Sequence, residues 1–260
     1  NTLNTTATTS GTLVFPKGTY KVSSALTLSA SVLLPNGALL TPDTGTTVTL
    51  TGPVTAGRYK VFGNSLATQG TISFRQNSYL TEIYPEWWGA VGDAGYASTL
   101  SAATDSTAAF QAAIAAGTIA SADLNNAAVN GAQASPYLRK IRLNAGAMYR
   151  LTGQVQFRNI RGMWFDGNGA WLTWDGDSVT PMFDVRGCSY CRWYDFTILN
   201  DLRHPLFVGF LTRKFNADGP NMTENHWDHV ECQGNNGSIG FCWLVGVGDQ
   251  TGNNEFHHWT

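Results

Sequence analysis

The sequence predicts an all-β chain whose short strands stack as a parallel solenoid, interrupted by one helix. Three observations carry this expectation. Charged residues are only 13% of the 260, about half the share usual in globular domains, while hydrophobic residues reach 43%. The polar surface must therefore come from Ser, Thr, Asn, Gln and Gly, as on a long, neutral, strand-rich exterior. Strand-like segments recur between Gly and Pro punctuation. Finally, one supersecondary pattern occurs twice, which marks a stacked architecture.

Residues 1–84 read as strand after short strand with no helical period. Thr12-Leu-Val-Phe15, Thr19-Tyr-Lys-Val22, Ala25-Leu-Thr-Leu28 and Val32-Leu-Leu34 are typical, bounded by Pro16-Lys-Gly18, Ser29-Ala-Ser31 and Pro35-Asn-Gly37. Strands this short are not stable alone and must stack on neighbours. Residues 85–138 form a junction that holds the one convincing helix, Asp105 to Ala116. Asp105 or Ser106 can cap its first turn. Phe110, Ala113 and Ile114 fall at i, i+3 and i+4 on one apolar face, and Gly117 is placed to end it in a left-handed conformation. The Ala/Asn-rich stretch from Thr118 to Ser135 fits either a second helical piece or a long loop.

From residue 139 to 260 the strands resume, and the sequence repeats itself. Leu13-Val-Phe-Pro-Lys-Gly-Thr-Tyr20 matches Ile141-Arg-Leu-Asn-Ala-Gly-Ala-Met-Tyr149. Val32-Leu-Leu-Pro-Asn-Gly-Ala-Leu-Leu-Thr41 matches Met163-Trp-Phe-Asp-Gly-Asn-Gly-Ala-Trp-Leu-Thr173. A finer repeat follows in Trp193-Tyr-Asp-Phe196-Thr-Ile198, Trp227-Asp-His-Val230-Glu-Cys232 and Phe256-His-His-Trp259-Thr260, with anchors 34 and 29 residues apart. Stacked coils set equivalent residues roughly 4.8 Å apart, so an inward tryptophan column is expected, with Trp193, Trp227 and Trp259 at inward positions. The chain stops in mid-strand at Trp259-Thr260, so the solenoid is expected to continue beyond Thr260. A native mass equal to the 28.1 kDa of these residues would overturn that.

The bulk numbers also exclude function classes. A net charge of −2 leaves no electrostatic footprint for nucleic acid. No apolar run approaches the roughly 20 residues a membrane span needs, so no membrane insertion is expected. No secretory leader is visible at Asn1-Thr2-Leu3. Cys188-Ser-Tyr-Cys191 has the spacing of half a zinc or redox site, but buried thiols acting as small apolar residues are the expected reading. No metal and no cofactor are anticipated.

At residues 85–116 the chain resembles a known family. Pro85-Glu-Trp-Trp-Gly-Ala-Val-Gly-Asp93, followed by Thr104-Asp-Ser-Thr-Ala-Ala-Phe-Gln-Ala-Ala-Ile114, is similar to the entry segment of the pectate-lyase-like right-handed parallel β-helix superfamily, in particular its bacteriophage tailspike members. The chain departs from the family pattern in the inserted residues Ala94 to Ala103. The resemblance implies a right-handed parallel β-helix whose N-terminal mouth is plugged by the helix, preceded by a β-rich lead-in or virion-attachment module. It further implies a homotrimeric tail fibre or tailspike subunit of the virion, docked on other phage tail or baseplate proteins and acting at host surface polysaccharide. Tailspikes of this class often cut polysaccharide as lyases or hydrolases. A depolymerase is therefore the alternative, as is a secreted bacterial carbohydrate-active enzyme of the same superfamily.

Glycoside cleavage needs paired carboxylates, and Asp195, Asp228, Glu231 and Glu255 lie on the repeated strands. The coil alignment sets Asp195, His229 and His258 in one column and Tyr194, Asp228 and His257 in the next. Such a cluster suits acid–base work or a metal, and equally a solvated polar ladder, which is the expected reading. Asp195, Asp228, His229, Glu231 and Glu255 thus stand as candidate catalytic residues with no role assigned. Among the tryptophans, Trp174 beside Asp175-Gly-Asp177 is the candidate sugar platform, since an exposed indole covers the C–H face of a pyranose. Trp87 and Trp88 are expected to pack at the junction.

Overall fold

The computed structural model describes residues 11–63, 70–74, 77, 79–95, 100–117, 140–158, 160, 162–177, 179–200, 208–212, 222–233, 239–243, 251–252 and 254–257. The chain divides into two compact units, Asn1–Ala90 with Ala108–Thr118, and Val91–Thr107 with Ile119–Thr260. The described strands are parallel wherever their register is defined, and an all-β architecture holds in both units.

The first unit contains β1 (Thr12–Val14), β2 (Gly18–Val22), β3 (Leu26–Leu28), β4 (Ser31–Leu34), β5 (Ala38–Pro42), β6 (Thr47–Leu50), β7 (Val54–Ala56), β8 (Thr71–Ser73) and β9 (Glu82–Ile83). β1 to β8 sort into the sheets β1-β4-β7, β2-β5 and β3-β6-β8. The chain thus visits three sheets in turn and lays each pass beside the last, as the short Gly/Pro-bounded strands require. Side-chain hydrogen bonds between successive passes span 21 to 24 residues. Alternation buries one face: Val32, Leu34, Ala38, Leu40, Val48 and Leu50 are all core, while Thr12, Thr27, Thr47 and Thr71 face out.

Pro85–Trp88 forms a 3-10 turn ended by Gly89 at φ 96°, which only glycine adopts without strain. Trp87 and Trp88 are buried within this unit against Phe62 and Phe74, and the Trp87 indole N–H donates to the Gly57 carbonyl at 2.9 Å. Helix α1 runs Thr107–Gly117. Phe110, Ala113 and Ile114 are buried as their spacing predicts. Gly117, expected to terminate the helix in a left-handed conformation, is instead its last residue. Asp105 accepts the Thr107 N–H at 3.0 Å, the Thr107 hydroxyl at 2.6 Å and the Thr152 hydroxyl at 2.6 Å. Burial pushes its carboxyl up, but these bonds outweigh that and hold it below its ordinary value. The insertion is closed at its ends by Asp93, which accepts the Thr104 N–H and hydroxyl.

The second unit contains β10 (Lys140–Arg142), β11 (Met148–Leu151), β12 (Val155–Gln156), β13 (Trp164–Trp174), β14 (Phe183–Asp184), β15 (Arg192–Asn200), β16 (Val208–Thr212), β17 (Met222–Thr223), β18 (His226–Gln233), β19 (Ile239–Trp243), β20 (Thr251–Gly252) and β21 (Glu255–His257). β10, β13, β15, β18 and β21 follow one another in one sheet, with β11 also on β13. β12-β14-β16-β19 and β17-β20 form two more. The internal repeat is visible in the pairing. β1 and β2 lie on β4 and β5, as β10 and β11 lie on the two halves of β13. The equivalent tyrosines close equivalent turns: the Tyr20 hydroxyl donates to the Pro16 carbonyl at 2.8 Å, and the Tyr149 hydroxyl accepts the Asn144 N–H at 3.1 Å.

Two backbone devices recur from pass to pass. Gly162, Tyr190 and Glu224, each two residues before β13, β15 or β18, hold φ of 74°, 56° and 55°. Within those strands Asn168, Asp195 and His229 hold φ of 53°, 60° and 52°. The second set interrupts the period of two, so inward side chains fall three apart at Trp193 and Phe196 and again at Trp227 and Val230. That is the physical origin of the aromatic, two-polar, apolar repeat. The inward column is aromatic, as expected: Trp193 stacks on Trp227 at 4.7 Å and 11°, and Trp227 on Phe256 at 4.8 Å and 10°. Trp259 lies outside the described residues. Buried Asn225 ties three passes together, accepting the Cys191 N–H at 3.0 Å and donating from Nδ2 to the Cys188 carbonyl at 2.9 Å and to Asn254 Oδ1 at 2.8 Å.

Candidate functional site

Alternation along β10, β13, β15, β18 and β21 turns every second side chain outward, and register stacks those side chains in two adjoining columns. Lys140, Trp164, Arg192, His226 and Glu255 form the first. Arg142, Asp166, Tyr194, Asp228 and His257 form the second. The columns are chemically knitted. Lys140 Nζ is 2.7 Å and Arg142 Nε 3.4 Å from Asp166 Oδ2. The Arg192 guanidinium lies 4.8 Å from the Trp164 ring centre, and the Trp164 and Tyr194 rings meet edge to face at 6.5 Å. Burial alone would lower the Lys140 ammonium; its bonds to Asp166 and Tyr194 raise it instead, so it stays charged. Burial pushes the Tyr194 phenol up, and it remains neutral.

At the other end of the columns Glu255 Oε2 sits 3.1 Å from His226 Nδ1 and 3.2 Å from His257 Nε2. The hydrogen bond from His257 and the charge of His226 hold the Glu255 carboxyl below its ordinary value. Asp228 Oδ1 lies 2.9 Å from His229 Nδ1.

The five candidate catalytic residues therefore separate. Asp228 and Glu255 lie on the outward strip, and the Tyr194–Asp228–His257 column stands as aligned. Asp195 and His229 stack with one another at the left-handed corners, exposed; Asn, Asp and His are the non-glycine residues most at home there. Their placement is explained by backbone conformation. His258 lies outside the described residues. Glu231 lies beyond the corner, where its carboxylate accepts the Thr197 hydroxyl at 3.3 Å and the Gln233 amide at 2.8 Å. It is a ladder residue on a different stretch of the strand.

Trp174 is a correction. It is completely buried, and its indole N–H donates to the Asp177 carbonyl at 2.9 Å. The Asp175-Gly176-Asp177 turn folds over the ring so closely that a Cβ on Gly176 would come within 2.2 Å of it. No ring face remains for a sugar. Trp164 and Trp171 are the half-buried tryptophans among the described residues, and Trp164 is the one in the outward strip. Trp164 and His226 both occupy the position just before the inward aromatic of their pass. Reading the repeat one residue earlier would have found them.

Cys188 and Cys191 are buried free thiols, donating to the Phe157 and Ile160 carbonyls at 3.0 and 3.4 Å. Burial pushes the Cys188 thiol well up, and Cys232 is pushed up to about 12 by burial and the Glu231 charge. The side chain of Cys242 lies outside the described residues. Among the described residues no helix is long and apolar enough to cross a membrane. Comparison of the chain with family models, with curated proteins and with solved structures returns no match.

Proposed function

We propose that the chain folds as a right-handed parallel β-helix of the bacteriophage tailspike kind, and that it recognises host surface polysaccharide along the outward strip of β10, β13, β15 and β18. The observation that carries this reading is the strip itself. Trp164 and Tyr194 offer aromatic surface to the C–H faces of sugar rings. Lys140, Arg142 and Arg192 supply donors for hydroxyl and carboxylate groups. These groups recur at the inter-strand spacing of about 4.8 Å, so a chain of sugars can lie across successive passes.

The solenoid reading is supported by parallel pairing throughout and by three sheets visited in turn. The helix as a cap, the attachment role of residues 1–84, the homotrimer and the virion tail location follow from the resemblance of residues 85–116. The test is incubation of the whole chain with a panel of capsular and O-antigen polysaccharides, following binding, product size and the ultraviolet absorbance of unsaturated sugar ends. Binding of intact polysaccharide that is lost in Trp164→Ala and Arg192→Ala is the expected result. Shortened chains would make it a depolymerase, a lyase if the absorbance appears and a hydrolase if not. Absence of binding across the panel would overturn the reading.

A further inference from the structure

We infer that His226, Glu255 and His257 form a binding site for a borderline transition-metal ion, Zn²⁺ foremost, on the outward face of β18 and β21. Strand register sets Glu255 directly beside His226. Glu255 and His257 are two residues apart on one strand, so all three side chains leave the same face. Their ligating atoms lie within 4.8 Å of one another. At zinc–ligand distances of about 2.0–2.1 Å, neighbouring ligand atoms of a tetrahedral ion stand about 3.3 Å apart. The gaps of 3.1 and 3.2 Å from Glu255 Oε2 to the two imidazole nitrogens already match two such edges. Only the edge between the histidines must close.

Two imidazoles and a carboxylate suit Zn²⁺, Cu²⁺ or Ni²⁺ rather than Ca²⁺ or Mg²⁺, which take oxygen ligands. The side chains of His226, Glu255 and His257 are 33%, 54% and 55% exposed, so an ion reaches them from solvent and a fourth position stays open to water. Asp228, the register partner of His257, adds negative charge beside the site. The inference does not depend on polysaccharide binding.

The test is calorimetric titration of the metal-free whole chain with Zn²⁺, together with the visible spectrum of the Co²⁺ form. A single saturable site is expected, weakened about tenfold or more by each of His226→Ala, His257→Ala and Glu255→Gln. His229→Asn, which keeps a residue suited to the left-handed corner, should leave affinity unchanged. The Co²⁺ spectrum should lack a thiolate charge-transfer band. Unaltered melting of the metal-free variants shows that they remain folded. Absence of Zn²⁺ binding, binding that survives the double histidine variant, or a thiolate band would each overturn the site.

Discussion

Both units lay parallel strands one pass upon another, yet they fill and cover those strands with different chemistry. In the first unit the inward positions of β3 to β6 are aliphatic, with Val32, Ala38, Leu40 and Val48 completely or almost completely buried, and the buried rings of Phe62, Phe74, Trp87 and Trp88 form a cluster rather than a stacked column. The exterior is hydroxyl-rich, as in the Thr47–Thr71 contact at 2.9 Å. In the second unit the inward column is a ring stack through Trp193, Trp227 and Phe256, the exterior is charged, and left-handed corners are held by Asn168, Asp195 and His229 rather than by glycine alone. The lesson is that stacking requires only apolar residues at the repeat. What the outward face can bind is set separately, by the residues alternating with them.

The strongest way to break this comparison is to cut the ring stack. Trp227→Ala should cost about 3–5 kcal/mol in denaturant unfolding followed by tryptophan fluorescence, and Leu40→Ala in the first unit about 2–5 kcal/mol. Trp227→Phe should recover most of the loss, because a ring that still stacks keeps the contact. If Trp227→Leu did as well, stacking would add nothing to burial.

Next in size is the buried charge of the second unit. Asp184 is completely buried between Arg158 and Arg186, with Arg186 Nη2 at 2.6 Å. Burial raises its carboxyl, and the bonds and charges of Arg186 and Arg158 more than offset this, so the folded value lies below the ordinary one. A depressed carboxyl stabilises above the unfolded value of about 3.9, and that contribution disappears as pH falls through the lower folded value. Asp184→Asn should therefore cost about 3 kcal/mol at neutral pH, by removing the carboxylate charge that Arg158 and Arg186 share, and should flatten the acid limb of the stability profile. A variant whose acid limb matches the parent would remove Asp184 from the account.

The corners come third. Asp195→Val should lose about 1–2 kcal/mol, because a β-branched residue resists φ of 60°, whereas Asp195→Gly should lose none. Equal losses in both would mean that the carboxylate matters rather than the backbone. Smallest is the first unit's ion pair, Lys21 to Asp43 at 3.2 Å, with the lysine side chain 74% exposed. Lys21→Ala should shift stability by at most about 0.5 kcal/mol, and by less in high salt. A larger effect would show that the hydroxyl-rich exterior leans on charge after all.

The amino-acid sequence by itself determined the all-β class, the doubled supersecondary unit, the apolar face of α1 and the inward placement of Trp193 and Trp227. Each is a periodic signal, and burial of a repeated apolar position leaves the chain no other choice. It also aligned Tyr194, Asp228 and His257 correctly, because register passes unchanged from strand to strand. Only the tertiary structure decided which side chains share the outward strip. A left-handed residue inside β15 or β18 shifts the alternation, so Asp195 and Glu231 cannot be placed by counting in twos from Trp193 or Trp227. Trp174 looked exposed because it borders a turn, yet Gly176 lets that turn close over the ring. The nearness of His226 to Glu255 depends on which strand lies beside which, and across strands that distance is settled by pairing rather than by any local pattern.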